Sequence, residues 1–148
     1  MKALVTGVAG FIGSTLAERL VSQGADVVGI DSFTDYYPRA IKESNLAALK
    51  RSPAFRFIES RIQDTDLAGL LADRTHIFHL AAQAGVRKSW GRDFAVYTTN
   101  NVEATQVLLE ACIGKPIDRL VYASSSSVYG DDVPMPMRED AVPRPVSP

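Results

Sequence analysis

The sequence predicts a doubly wound α/β fold, a parallel sheet with helices on both faces, and three observations predict it. Short β-type runs alternate with helix-period segments along the whole chain. The connections are long enough for a crossover helix, which returns the chain to the same end of the sheet and so imposes parallel, right-handed pairing. The first run ends in Gly7, Gly10 and Gly13, spaced by three as a tight strand-to-helix turn requires.

Residues 2–6 are a short apolar run and the first strand. The helix after it carries Ile12, Leu16 and Leu20 at i+4 and is closed by Gly24, a residue type suited to the position just past a helix. Residues 26–30 read as the second strand. Residues 39–51 read as one helix with Ile41, Leu46 and Leu49 on its apolar face, stopped before Pro53. Residues 55–58 form the third strand. Asp64 or Thr65 caps a short helix carrying Leu67, Leu70 and Leu71, and residues 76–80 form the fourth strand. A longer helix ends near Cys112, residues 119–123 make the fifth strand, and five of the eight prolines then fall between Pro134 and Pro148, which reads as loop.

A chain of 148 residues is about one domain, and 46% hydrophobic with 22% charged residues excludes disorder as a description of the whole. Sixteen Lys and Arg against 17 Asp and Glu give a net charge of -1 without a run of like charge, which argues against nucleic-acid and membrane-surface partners and for a small molecule. The lone Cys112 excludes an internal disulfide and a Cys-based zinc cage, leaves no metal site expected, and fits a reducing compartment such as the cytoplasm. No apolar run approaches the roughly 20 residues that span a bilayer. Met1, Lys2 and the apolar stretch behind them imitate a signal peptide, but a cleaved segment has no use for three regularly spaced glycines.

In a doubly wound sheet, ligands sit beyond the carboxyl ends of the strands. At the first exit, Thr6-Gly-Val-Ala-Gly-Phe-Ile-Gly13 lets the backbone approach a pyrophosphate, with the helix N–H groups and dipole behind it. The glycines alone also suit any tight turn. Asp31 stands at the second exit, 18 residues past Gly13, where a carboxylate accepts from a ribose 2′-OH and repels a 2′-phosphate; its other reading is a turn cap. The combination points to NAD over NADP. His76 and His79 are expected as satisfied strand residues sharing one face, and Trp90 and Phe94 as packing residues.

These stretches, with Asp31-Ser-Phe-Thr-Asp-Tyr-Tyr37, His79-Leu-Ala-Ala-Gln-Ala-Gly-Val-Arg87, Asn100-Asn-Val102 and Ala123-Ser-Ser-Ser-Ser-Val-Tyr-Gly130, resemble the extended short-chain dehydrogenase/reductase group of nucleotide-sugar epimerases and dehydratases along all 148 residues. The resemblance implies a Rossmann-type sheet, truncated after about five strands, that holds NAD. It places Phe11 and Ile12 against the pyrophosphate and Ser32, Thr34 and Asp35 around the adenosine ribose. It places Ile62 on the adenine, Leu80, Ala81, Ala82 and Gln83 along the nicotinamide side, and Asn100 near the cofactor. Where relatives often carry a carboxylate for the adenine amino group, this chain has Arg61, which either stacks on the ring or has no role.

The resemblance also implies catalysis. Ser125 takes the position of the family's catalytic hydroxyl, with Ser126 beside it at the substrate, although four serines at a strand exit also suit loop capping. Ser126 and Ser127 stand where 4,6-dehydratases have Asp-Glu, so elimination of water is not expected. The most similar branch is the UDP-glucuronate 4-epimerases, through Asp35-Tyr-Tyr37 and Gln83-Ala-Gly-Val-Arg87, with Arg87 either a carboxylate or phosphate clamp or a surface arginine. No tyrosine in the chain is followed by lysine four residues later, so neither half of the family's Tyr-x-x-x-Lys motif is present.

The expectation is therefore the NAD-binding part of a nucleotide-sugar 4-epimerase, inactive alone, with residues 1–130 binding cofactor and 131–148 a Pro-rich loop leading toward a catalytic portion. A dinucleotide-binding module without chemistry, and a decarboxylase or reductase of the same family, remain as alternatives. Family enzymes commonly dimerise through two long helices, so the enzyme is expected as a homodimer. The face carrying Val107, Leu108 and Cys112 is expected to be left partly uncovered.

Overall fold

The computed structural model describes residues 1–147. Strands β1 (Lys2–Thr6), β2 (Asp26–Asp31), β3 (Phe55–Glu59), β4 (His76–His79) and β5 (Arg119–Tyr122) form one parallel sheet in the order β3-β2-β1-β4-β5. This is a Rossmann-type order, and its direction reverses between β1 and β4. The reversal sends α1 (Phe11–Ser22) and α2 (Arg39–Leu46) to one face of the sheet. It sends α3 (Leu67–Leu70) and α5 (Ala104–Cys112) to the other.

Alternation along the central strands feeds both faces. Ala3, Val5 and Val27 meet Ala17, Leu20, Leu46 and Leu49 on one side, while Leu4, Val28, Ile30 and Ile77 meet Leu67, Leu70, Leu71, Ala104 and Leu108 on the other. Because both faces are covered, β1 and β2 read as continuous apolar runs rather than as alternating ones. Gly24, at φ +81°, takes the left-handed position past Gln23 that ends α1.

Several elements differ from the sequence expectation. The helix expected over 39–51 ends at Leu46, and a separate tight turn, Leu49–Arg51, follows it; Leu46 and Leu49 are both buried in the same core. Ile41 is exposed, and Lys42 is the buried residue of the first turn of α2. The cap of α3 is Asp66, whose carboxylate accepts from the Gly69 N–H at 3.1 Å, since Asp64 closes the preceding turn, Ile62–Asp64.

β4 stops at His79 because the Leu80 and Ala81 N–H groups donate to the Thr6 hydroxyl rather than continuing the ladder. β5 likewise stops at Tyr122, whereas β2 and β3 each extend one residue further, pairing Asp31 with Glu59. His76 and His79 lie on opposite faces, not one, because an odd separation reverses direction in a period-two strand. Trp90 and Phe94 are exposed rather than packed, because the turn after Trp90 and the short helix that Phe94 opens lie outside both cores.

The long helix before Cys112 is built of α4 (Phe94–Tyr97), a wide i→i+5 turn (Thr98–Glu103) and α5. Leu108 is fully buried, with Val107 and Cys112 packed beside it, so the face expected to be uncovered points into the core. The exposed apolar residues of this segment are Phe94 and Val96 in α4 and, further along, Val102, Leu109 and Ile113. Among the described residues, no helix is long and apolar enough to cross a membrane.

Candidate functional site

A cleft opens where the strand order reverses, at the carboxyl ends of β1, β2, β3 and β4. It is lined by ten of the expected residues: Gly7, Gly10, Asp31, Ser32, Thr34, Ile62, Leu80, Ala81, Ala82 and Asn100. Ile30, Tyr36, Tyr37, Lys42, Ser60, Arg61, Gln63 and Ala104 complete the wall. Phe11, Ile12, Gly13, Asp35, Gln83, Arg87, Ser125 and Ser126 do not line it.

The glycines divide their duties. Gly7 has φ +68°, and a Cβ there would stand 2.8 Å from the Ala81 nitrogen, so the β1 exit needs a residue without one. A Cβ on Gly13 would overlap the Gly7 carbonyl; its role is the close packing of α1 on β1, not the lining of the cleft. Helix α1 opens at Gly10 with no side-chain cap and no acidic residue in its first turn, which leaves N–H groups for an external anion. Phe11 and Ile12 are 80% and 64% exposed and stand outside the wall of the cleft.

Asp31 both caps and faces the cleft. Its Oδ2 accepts from the Ala9 N–H at 3.0 Å and its Oδ1 from the Phe33 N–H at 2.9 Å, and each carboxylate oxygen retains a further lone pair. The Ala9 carbonyl accepts from Asn45 at 2.9 Å and from the Tyr37 hydroxyl at 3.4 Å, which fixes the glycine turn from the other side. Burial, and then the Asp31 charge, push the Tyr37 hydroxyl above its ordinary pKa.

Phe33 holds the left-handed region at φ 51°, a strained choice for a bulky residue. Its ring meets Phe57 edge-on with centroids 5.6 Å apart, and the Arg39 guanidinium lies 4.2 Å above it. Arg39 in turn forms a two-bond pair with Glu59, whose carboxyl it holds below the ordinary range. The loop after β2 is thereby pinned over the sheet edge.

A buried chain of hydrogen bonds shapes the β4 exit. The Thr105 hydroxyl donates to the Asn101 carbonyl at 2.6 Å and so accepts from His79 Nε2–H at 2.9 Å. His79 Nδ1 is left to accept from the Thr6 hydroxyl at 2.7 Å, and Thr6 takes the Leu80 and Ala81 N–H groups, both at 3.1 Å. Burial pushes the His79 pKa down, in keeping with this neutral ring. The Asn101 side chain exchanges two bonds with the Gln83 backbone, at 2.7 and 3.1 Å, so Gln83 is a residue clamped behind the cleft rather than in its wall.

The wide turn Thr98–Glu103 lets two successive asparagines serve different partners, Asn100 the cleft and Asn101 the loop. On the adenine side expected from the sequence, Ile62 is buried and Gln63 donates to the Thr99 carbonyl at 2.8 Å.

Ser125 stands at the exit of β5 and caps the turn Ser126–Tyr129, its hydroxyl accepting from the Ser127 N–H at 3.2 Å. The loop-capping reading is what the local geometry contains. Arg87 is exposed in the turn Val86–Lys88. Lys42, Tyr36, Gln63 and Asn101 were missed by sequence reasoning. The signal for Lys42 was present, because positions 42, 46 and 49 share a helical face and the last two are core leucines.

The profile of the NAD-dependent epimerase/dehydratase family matches residues 3–148. UDP-glucuronate 4-epimerase 2 of Arabidopsis thaliana is 40% identical over 152 residues, which cover 99% of this chain and 35% of that protein. An uncharacterized UDP-glucose epimerase of Bacillus subtilis is 48% identical over 132 residues, 88% of this chain and 42% of that one. The crystal structure of UDP-glucuronic acid 4-epimerase from Bacillus cereus in complex with UDP-glucuronic acid and NAD superposes with a TM-score of 0.94 at 47% identity, covering 99% of this chain and 47% of that one. The chain thus spans between about a third and a half of the length of these relatives. With the profile matched almost from end to end and the same glycine-turned sheet in place, the chain belongs to the NAD-dependent epimerase/dehydratase family.

Proposed function

We propose that the chain is the NAD-binding part of a UDP-sugar 4-epimerase acting on a UDP-hexose or UDP-hexuronic acid, UDP-glucuronate foremost. The observation that supports this best is the cleft at the reversal of strand order, where an uncapped helix N-terminus, a Cβ-free approach at Gly7 and the Asp31 carboxylate face one space. These features fit a dinucleotide: N–H groups for its pyrophosphate, an acceptor for a ribose, and the small Ala81 and Ala82 beside a flat ring. In this reading Gly7, Gly10 and the backbone of Phe11 and Ile12 hold the pyrophosphate. Asp31, Ser32, Thr34 and Asp35 surround the adenosine ribose, Ile62 supports the adenine, and Leu80 to Gln83 with Asn100 flank the nicotinamide.

Bound NAD supplies a reversible hydride acceptor for C4 of the sugar. Ser125 holds O4 by hydrogen bond, and its hydroxyl pKa is too high for it to take the O4 proton near neutral pH, so it positions while another group acts as base. Ser126 supports the sugar beside it. Arg87 clamps the carboxylate or a phosphate, which with a uronic acid keeps the carboxylate where loss of carbon dioxide from a 4-keto sugar is slow. Residues 1–130 are the cofactor part, residues 131–148 lead toward the catalytic portion, and the enzyme works as a homodimer. The engagement of the Ser125 hydroxyl as a cap, outside the cleft, favours one second reading, a dinucleotide-binding module without chemistry.

The test is titration calorimetry of the chain with NAD and NADP. NAD is expected to bind more tightly, because Asp31 confronts a 2′-phosphate with like charge. Equal affinities, or a preference for NADP, overturn the assignment.

A further inference from the structure

The first turn of α2 carries a cation for which the cofactor reading has no use. Lys42 is 4% exposed and lines the same cleft as Asp31, Ser32 and Thr34. Among the described residues it has no carboxylate partner. Its ammonium donates to the Thr34 carbonyl at 2.6 Å and stands 4.8 Å from the centre of the Tyr37 ring. An ammonium has three N–H donors, so two remain after the Thr34 bond. A buried cation held by one carbonyl and one aromatic face is costly to keep unless something further offsets its desolvation.

We propose that Lys42 is a cofactor-binding residue whose ammonium donates to the hydroxyl oxygens of the adenosine ribose, the same hydroxyls whose protons Asp31 accepts. The proposal rests on the NAD reading and deepens it by adding the donor half of the ribose site. A vicinal diol both donates and accepts, whereas an ionised carboxylate only accepts and an ammonium only donates; the two side chains together satisfy what neither satisfies alone. Both are fixed in advance, Asp31 by the Ala9 and Phe33 N–H groups and Lys42 by the Thr34 carbonyl. They share one corner of the cleft with Tyr37, whose hydroxyl feels the Asp31 charge and whose ring underlies the ammonium.

The competing role for Lys42 is structural, anchoring the loop through Thr34, and the test separates the two. Titration calorimetry is run on the chain and on Lys42→Met with two ligands, NAD and an NAD analogue lacking both hydroxyls of the adenosine ribose. Lys42→Met is expected to weaken NAD by about tenfold or more, the scale of a hydrogen bond from a charged donor, and to leave the analogue within about twofold. A folded variant that binds NAD as the parent chain does overturns the proposal, and so does one that weakens both ligands equally, which is the signature of a loop anchor. If circular dichroism shows Lys42→Met unfolded, Lys42→Gln is read by the same criteria. Failure of the parent chain to bind NAD overturns the underlying cofactor reading together with this one, whereas normal NAD binding by parent and variant alike overturns Lys42 alone.

Discussion

The Asp31 carboxylate holds two loop N–H groups while it faces the cleft, so removing it tests two functions at once and the substitution has to be chosen to separate them. Asp31→Ala is expected to reduce the NAD-over-NADP preference by about 1–3 kcal/mol, the scale of hydrogen bonds to a charged group, and to lower stability because the Ala9 and Phe33 N–H groups lose their acceptor. Asp31→Asn keeps one acceptor oxygen but no charge. It is expected to lose the discrimination while retaining more of the stability, and calorimetry paired with urea unfolding of both variants distinguishes these effects. Asp31 was legible in the sequence because an acid at a strand exit after a glycine turn has a specific geometry to satisfy. Lys42 shares a helical face with Leu46 and Leu49, but that spacing alone does not reveal its burial, because a lysine in a helical pattern ordinarily marks the solvent face and its burial depends on the loop after β2 folding over it. Ser125 was legible as a position but not as a contact, since its hydroxyl is taken up by a local N–H that any serine at a turn can reach.

The hydrogen-bonded chain from Thr6 through His79 to Thr105 ties β1, β4 and α5 together, and it needs a neutral imidazole, because Nδ1 must accept. Burial lowers the folded-state pKa of His79 below its ordinary value of 6.5, so the unfolded chain takes up the proton first as pH falls. The stability from the neutral, buried ring is present in full above about pH 6.5 and is lost as pH falls from there through the lowered folded value. Denaturant titrations between pH 7.5 and 5 (the range is about that over which an unperturbed His changes charge) are expected to show stability dropping by up to about 1.4 kcal/mol per pH unit, the slope of one proton. His79→Gln should flatten the slope; a slope unchanged in that variant assigns it elsewhere. The same segment shows why some elements were hard to read. Strands buried on both faces announce themselves as continuous apolar runs, and all five were found to within a residue at their ends. The wide turn Thr98–Glu103 had no such signal, because its Thr-Thr-Asn-Asn stretch is held by polar contacts to the cleft and its loops rather than by an apolar stripe.

At the scale of the molecule, the reversal of strand order was readable as a consequence of parallel winding, and with it the place of the cleft; which faces remain uncovered was not, because that depends on how α5 rotates against the sheet. Around α5 the exposed apolar residues are Val102, Leu109 and Ile113, separated by seven and four residues and so on one helical stripe, and β5 leaves Val121 and Tyr122 exposed at the sheet edge. Concentration-dependent self-association through that stripe is expected, and Leu109→Lys with Ile113→Lys should weaken it. Sedimentation that shows a clean monomer at high concentration would count against it. Catalysis sets the sharpest demand on the molecule as a whole. Transfer of the O4 proton needs a group that is unprotonated in useful amount near neutral pH, and Ser125 is not such a group. The tyrosines at 36, 37, 97, 122 and 129 all lack a lysine four residues on, so none matches the family's motif, and burial and the Asp31 charge push the Tyr37 hydroxyl upward. These 148 residues alone are therefore expected to show no measurable turnover of UDP-glucuronate even when saturated with NAD. In a longer chain that supplies a Tyr-x-x-x-Lys, Ser125→Ala is expected to lower turnover by about 10²-fold or more while leaving NAD affinity nearly unchanged. Turnover by the 148 residues would mean that another group serves as base, and full activity in the Ser125→Ala enzyme would remove Ser125 from the reaction.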